Sequence, residues 1–419
     1  MRHIICIVLV IVGVTALIPA SATTGHHKKI TRLSIDSNGQ EANGASSQPA
    51  ISADGRFVAF TSTSSNLAPG QSANACHILV HDRTNGKTEL ASLSTTGEPA
   101  TGDCLYPSIS DDGRFVAFAS FASNLVEDDS NDRSDIFVHD RHTGETTRVS
   151  VSARGNEGDD HSSLPVISAD GRFVAYSSDA SSLAPNDANQ RRDIFVHDRH
   201  TGEVELVSVD SNGNPGNSHS FAPDISCDGR FVVYYSHADN LVAADNNRVT
   251  DIFVRDRQNH TTERCSIDSN GQEADGYSLE PRISGDGQWI VFSSFAQNLV
   301  PGDTNRVRDV FLHHRVDHTT IRISNTTADT GKHTRCLRPA ISADSRFITY
   351  IHGHTQLMIH DRANNTVESL TRMKSPSPGE WITSHSAVSG HGEAVVFSST
   401  APTLVTGDDN DQRDIFAVY

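Results

Sequence analysis

One arrangement of oxygen-bearing side chains recurs along the sequence, Asp-x-Asn-x-x-x-Asp. It occurs at Asp129/Asn131/Asp135, Asp187/Asn189/Asp193, Asp245/Asn247/Asp251, Asp303/Asn305/Asp309 and Asp408/Asn410/Asp414. Oxygen donors at alternate loop positions, followed by a carboxylate, suit a hard cation such as calcium. The same side chains also cap wide turns and tie them to the next strand. Each segment offers few carboxylates and lacks the bidentate Glu and fixed Gly of an EF-hand, so both readings stand. Calcium is the only cofactor the pattern suggests, and nothing in the sequence requires one. A further copy departs outright, with Gln71, Ala73 and His77 at the equivalent positions.

Histidine is abundant, 22 in all, yet His81, His139, His197, His313 and His360 hold one repeated position. A residue used once per repeat belongs to the scaffold rather than to a catalytic centre. Beyond the first 22 residues the cysteines are Cys76, Cys104, Cys227, Cys265 and Cys336, an odd number. Cys76 and Cys104 fall in neighbouring loops and suit either a disulfide or two free thiols. No Gly-x-Ser-x-Gly elbow, His-Glu-x-x-His helix or phosphate-cradling glycine loop is present.

The elements that position these residues are set by an internal repeat. Ile-Ser-Ala-Asp-Gly-Arg-Phe begins at Ile51, with counterparts at Ile109, Ile167, Ile225, Ile283 and Ile341, each step being 58 residues (109 − 51, and so on). A degenerate seventh copy begins at Val388, 47 residues on (388 − 341). A second marker, Asp-Ile-Phe-Val-His-Asp-Arg, keeps the same phase from Asp135. Each unit reads as four short strands, Pro-x-Ile-Ser, Arg-Phe-Val-Ala-Phe, Asp-Ile-Phe-Val-His and Thr-x-x-Val-Ser-Val, bounded by Asp-Gly and Thr-Gly turns. The middle strands are almost continuously apolar, so both faces of each small sheet must be covered. Sheets stacked around an axis provide that cover. The expected fold is all-β, a seven-bladed β-propeller, with blade cores beginning near 49, 107, 165, 223, 281, 339 and 386. The seventh copy lacks its fourth strand, while Ile30–Asp36 near-duplicates the fourth-strand segment ending at Asp268, offset by 4 × 58. The leading segment is therefore expected to complete the last blade, removing two sticky sheet edges.

In such a ring the first strands line an axial channel. Function is best sought where the repeats disagree, and around the recurring Pro they read Tyr106, Asp224, Glu280, Arg282 and Arg338. These form a lopsided polar patch at the channel mouth, or simply a solvated wall. The long loops after each second and fourth strand share one face, the default binding face.

With 34 Lys+Arg against 52 Asp+Glu the net charge is −18, which excludes a nucleic-acid backbone as partner. Arg2 and His3, an apolar run from Ile4 to Ile18, and Pro19-Ala20-Ser21-Ala22 read as a secretory signal peptide over 1–22. That leaves 23–419 as a single propeller domain, without stable membrane insertion after cleavage, a monomer in the periplasm or outside the cell.

Pro-x-Ile-Ser-x-Asp-Gly-Arg-Phe-Val-Ala-Phe followed by Asp-Ile-Phe-Val-His-Asp-Arg resembles the WD40-like (PD40-type) repeat of TolB-type bacterial propellers. The resemblance covers the whole expected domain and implies the fold. It implies little about activity, because one propeller scaffold hosts binding modules, lyases and protease gates. The family's N-terminal α/β domain has no room in the few residues before Ile30, so its envelope-complex role does not carry over. The expected function is a non-catalytic scaffold for an envelope or extracellular protein or glycan. The alternative is a polysaccharide lyase or hydrolase using channel-mouth residues.

Overall fold

In the computed structural model, residues 29–72, 75–324, 334–371, 382 and 386–419 are described. The expected signal peptide lies outside them. They form seven four-stranded antiparallel sheets, six of which follow chain order. Blade 2 is typical, with strands Cys104–Ile109, Phe115–Ser120, Asp135–Asp140 and Thr146–Arg148 from the axis outward. First strands begin about three residues before the recurring Pro, earlier than the sequence markers suggest, as at Ser46, Cys104 and Ser162. Every residue of the third strand Asp135–Asp140 is buried, because blades cover it on both sides. Ring pairs such as Phe118–Phe137 (centroids 6.0 Å apart) and Tyr176–Phe195 (5.9 Å) fill the sheet interfaces. Blade 6 joins its second and third strands, Phe347–His352 and Gln356–Asp361, by three residues, which accounts for its short repeat. Among the described residues no helix is long and apolar enough to cross a membrane.

The ring closes as the duplicated segment requires. Ile30–Arg32 pairs antiparallel with Asp414–Val418, matching Ile30 to Val418 and Arg32 to Phe416. Leu33 is buried in the core between blades 7 and 1, and Ser34 hydrogen-bonds Asp414. A belt of backbone hydrogen bonds encircles the axis at the tight-turn face. Ala53 donates to Asp111 (3.1 Å), Asp111 to Ala169, Ala169 to Cys227, Cys227 to Gly285 and Gly285 to Ala343. Asp344 then donates to Gly390, and Gly390 back to Ala53 (2.9 Å).

The Asp-Gly-Arg-Phe and Asp-Arg signatures staple blade to blade. Arg141 at the end of a third strand lies over Phe57 of the preceding blade (4.4 Å to the ring centroid), and Arg56 covers its other side (4.5 Å). Arg199 and Arg114 clasp Phe115 in the same way, as Arg257 and Arg172 clasp Phe173. The turn glycine is where that ring rests: a Cβ on Gly171 would lie 2.1 Å from Phe115 Cδ2, and φ is +74°. Arg114 also forks onto Asp140 (2.9 and 2.7 Å), holding the Asp140 carboxyl well below the usual range.

Candidate functional site

Three places bring together residues able to do chemistry. The first is the axial channel, a cavity of about 320 Å³ running along the first strands to the belt of turns. Tyr106, Asp224, Glu280 and Arg282 line it as expected, but Arg338 is not among its lining residues. Its backbone N–H instead donates to Glu280 Oε2 (2.7 Å). The polar groups of the channel are largely committed to joining blades. Gln48 Oε1 accepts from the Tyr106 N–H (2.8 Å), and Asp224 Oδ2 from the Ile283 N–H (2.9 Å). Burial raises the Asp224 pKa against the opposing charge of Arg282. This wall holds the ring together more than it waits for a ligand.

The second place is the set of Asp-x-Asn-x-x-x-Asp loops. Their asparagines cap and tie: Asn131 Oδ1 accepts from the Arg133 N–H (2.7 Å) while Nδ2 donates to Gly158 O (2.9 Å) in the inter-blade turn. Asn247 and Asn410 repeat this on Ala274 O and Ala42 O. Asn305 accepts from the Val307 N–H and donates to Asp309 Oδ2 (2.7 Å). The carboxylates face a guanidinium from the fourth strand. Arg148 Nη1 lies 3.6 Å from Asp129 and from Asp135, and 2.9 Å from Glu157. These three acids are grouped closely enough to hold a metal ion, but Arg148 already sits among them. Arg264 meets Asp245 (3.0 Å), Asp251 and Glu273 in the same way. Arg322 meets Asp303 and Asp309, and Arg32 meets Asp408 and Glu41. In blade 1, Gln71 Oε1 accepts from the Ala68 N–H (2.7 Å), keeping the turn without charge.

Cys76 and Cys104 are both free thiols in the structure, not a disulfide. The reason lies in the repeat register. Cys104 takes the place of Ser46, Ser162, Ser220 and Ser278, each of which hydrogen-bonds a serine across the sheet. Its thiol likewise faces Ser120 Oγ (3.2 Å), and burial pushes its pKa up to about 12. The backbones meet instead, the Cys104 N–H donating to Cys76 O (2.8 Å).

The third place was not singled out from the sequence. At the long-loop end of the two inner strands, one position reads Ala45, Asp103, His161, His219, Tyr277, Arg335, and its cross-strand neighbour Thr63, Phe121, Asp179, His237, Phe295, Gly353. Their backbones pair, as in Phe121 N–H to Asp103 O (3.1 Å) and Phe295 N–H to Tyr277 O (3.0 Å). Phe121, Tyr277 and Phe295 are exposed by 54%, 53% and 42%, unusually far for such rings. Polar groups flank two of them. Phe121 meets His161 edge-on (5.8 Å), and Arg308 lies over Phe295 (5.7 Å) while reaching Glu280 (3.0 Å). Between them, Phe221 stacks on Tyr235 (5.3 Å) with His237 edge-on and Arg192 above (5.4 Å). Arg192 is held in turn by Asp179. The signal was available: these are the positions where the repeats differ most in size and charge, one step beyond those compared around the Pro.

The repeated strand histidines lie elsewhere, and three of them are engaged. His81, His139 and His313 each bond a threonine of the fourth strand at 2.8–2.9 Å.

No protein-family model matches this chain, and no curated protein matches it either. Solved structures do. An oligogalacturonate lyase from Vibrio parahaemolyticus superposes over 94% of this chain and 94% of its own, at 11% identity and a TM-score of 0.57. The β-propeller domain of the Trilobed protease from Pyrococcus furiosus, described as having an open velcro topology, covers 89% and 95% at 14% identity and a TM-score of 0.54. A putative TolB from Agrobacterium tumefaciens covers 67% and 80% at 17% identity and a TM-score of 0.42. The chain has a β-propeller fold. At these identities the likeness is one of fold, and the propeller is closed here by the Ile30–Arg32 strand.

Proposed function

We propose that this is an exported binding propeller that holds a glycan chain across the long-loop mouth of blades 2–5. The observation that carries this is the set of exposed rings, Phe121 beside His161, Phe295 beneath Arg308, and Tyr277 next to Phe295 across the sheet. Aromatic faces beside hydrogen-bonding groups suit sugar rings, which present apolar C–H faces and polar edges. Successive blades repeat such subsites around an arc, as a repeating polymer requires. A protein partner would call for a contiguous apolar core within about 800 Å² on this side. The exposed rings here fall in two separate places instead, Phe121 in blade 2 and the neighbouring Tyr277 and Phe295 in blade 5. Export rests on the leader-like residues 1–22, and the binding reading on rings and hydrogen-bonding groups gathered at the rim.

A second reading, cleavage of the bound glycan, rests on one pair of residues. Burial, then the neighbouring His219, lower the His237 pKa, leaving a neutral imidazole able to take a proton. One experiment tests both. The chain is screened on a polysaccharide panel by affinity electrophoresis, with Phe121→Ala, Tyr277→Ala and Phe295→Ala alongside, and the same mixtures are assayed for new reducing ends and unsaturated products. Retention lost in the ring variants supports binding. New chain ends lost in His237→Gln support cleavage. No retention on any polysaccharide, with stoichiometric capture of an envelope protein instead, overturns the glycan reading.

A further inference from the structure

The loop of blade 3 keeps its acids but has lost their cation. Four other blades place a guanidinium between the two aspartates, Arg148, Arg264, Arg322 and Arg32. Blade 3 has Leu206 at that register position, and Pro215 where blades 2 and 4 have Glu157 and Glu273. Leu206 is buried in the apolar core with Leu183 and Ala184. Asp187 and Asp193 nonetheless remain, 8% and 0% exposed. Both carboxylate oxygens of Asp187 and Oδ2 of Asp193 are buried without a hydrogen-bond partner. Asp193 Oδ1 accepts from Ser208 (2.5 Å), and Asn189 lies near both acids, its backbone toward Asp187 and its side-chain amide toward Asp193, without closing a hydrogen bond to the buried oxygens.

Blade 1 shows that losing the arginine does not by itself leave such orphans. It carries Leu90 and Pro99 at the same two positions, and there the acids are gone as well, replaced by Gln71 and His77. An unpaired buried carboxylate is costly, so two kept side by side need a positive partner. In blade 4 the equivalent carboxylates converge on one nitrogen, at 3.0 Å from Asp245 and 3.8 Å from Asp251. Asp187 and Asp193 hold the same register, and the charge of Asp187 acts on Asp193.

We propose that blade 3 binds one calcium ion between Asp187 and Asp193, in the place filled elsewhere by a guanidinium nitrogen. The donors are hard oxygens. The Asn189 Oδ1 is already engaged by the Arg191 N–H (2.8 Å), so the two carboxylates and water complete the shell. With two carboxylates the affinity belongs with extracellular modules, a Kd of about 10⁻⁴–10⁻³ M. Asp159 adds negative potential beside the pair.

The test titrates calcium chloride into the full chain, stripped with chelator at pH 7.5, by calorimetry and by melting. Three chains are compared: native, Asp187→Asn, and the double variant Leu206→Arg/Pro215→Glu, which reproduces the pairing of blade 4. The expected result is one ion per native chain, with a calcium-dependent rise in Tm. Asp187→Asn weakens binding at least tenfold. The double variant abolishes binding while melting, without calcium, at or above the native temperature. Calcium binding that persists in the double variant would place the ion elsewhere and overturn the proposal. So would the absence of binding to the native chain at 10 mM calcium (about ten times the weakest expected Kd), leaving a shared proton to neutralise the pair.

Discussion

Replacing Gly171 by alanine tests whether blades are stapled through their turn glycines. Gly171 has φ +74°, and an added Cβ would meet Phe115 Cδ2 at 2.1 Å and Cγ at 2.8 Å. Phe115 cannot retreat freely, because Arg114 and Arg199 lie on it at 4.6 and 4.5 Å. A left-handed alanine costs about 1 kcal/mol. Overpacking adds about 1–3 kcal/mol, and a displaced cation–π pair about 0.5–1 kcal/mol. The total is about 3–5 kcal/mol. Gly155 is the control, since its φ is +82° but nothing lies within 4 Å of its Cβ, so alanine there carries only the backbone cost. At about 2.1 cal/mol/K per residue over roughly 390 residues, 3 kcal/mol lowers Tm by about 4 °C. The backbone cost is common to both, so circular-dichroism melts of Gly171→Ala and Gly155→Ala should differ by the remaining cost of about 1.5–4 kcal/mol, about 2–5 °C. Adding Phe115→Leu to Gly171→Ala should recover part of the loss, a coupling that a double-mutant cycle reads directly. If the two alanine variants melt together, the close approach of ring to turn does not hold in solution and the staple reasoning fails.

Three other outcomes follow from single contacts. Deleting residues 30–36 uncovers Asp414–Val418 as an edge strand and removes Leu33 from the core, so Tm should fall and light scattering should reveal association; an unchanged, monodisperse protein would refute ring closure. Burial lowers His81 to a pKa of about 4, below the ordinary 6.5, so the unfolded chain binds its proton first as pH falls. The stability His81 contributes is full above about pH 6.5 and is lost toward pH 4. The native chain should accordingly lose ground to His81→Gln by up to about 3 kcal/mol over that window, read as urea midpoints, and a pH-independent difference would refute the assignment. His197 Nδ1 is buried without a partner because Val204 stands where blades 1, 2, 4 and 5 have threonine, so Val204→Thr should stabilise by about 0.5–1 kcal/mol. A lower melting temperature for that variant would refute it.

The strand number, the ring and its closure are legible in the sequence because each packing demand is written six or seven times, and a repeated demand stands out from the side chains that vary. Contacts between repeats are a different matter. Arg141 reads as part of a turn, and nothing in Asp-Arg-x-Thr-Gly shows that its guanidinium crosses to Phe57 of the blade before. The loop acids suggest calcium for the same reason. Arg148 reaches Asp129 from a strand that begins after the loop has ended, and Glu157 joins from the turn beyond it. The Cys76–Cys104 pairing is not made: Cys104 inherits an inward-facing serine register, and its thiol meets Ser120 across the sheet.

Backbone strain shows why function in this molecule must be sought in differences between side chains. Gln48, Tyr106, Leu164, Ala222, Glu280 and Arg338 all adopt left-handed φ between 48° and 56° without being glycine. A single such residue would point toward a functional site. Six, one before each recurring Pro, mark instead the bulge by which every first strand bends toward the axis, as its shifted register shows. The strain is shared equally and so distinguishes no blade. What distinguishes blades is what each hangs on the common frame: rings at Phe121, Tyr277 and Phe295, paired histidines in blade 4, and in blade 3 two buried carboxylates whose arginine became Leu206. An architecture that repeats its stabilising contacts so evenly can lose one of them in a single blade and still fold. That tolerance is what leaves the third loop free to exchange a fixed guanidinium for a dissociable ion.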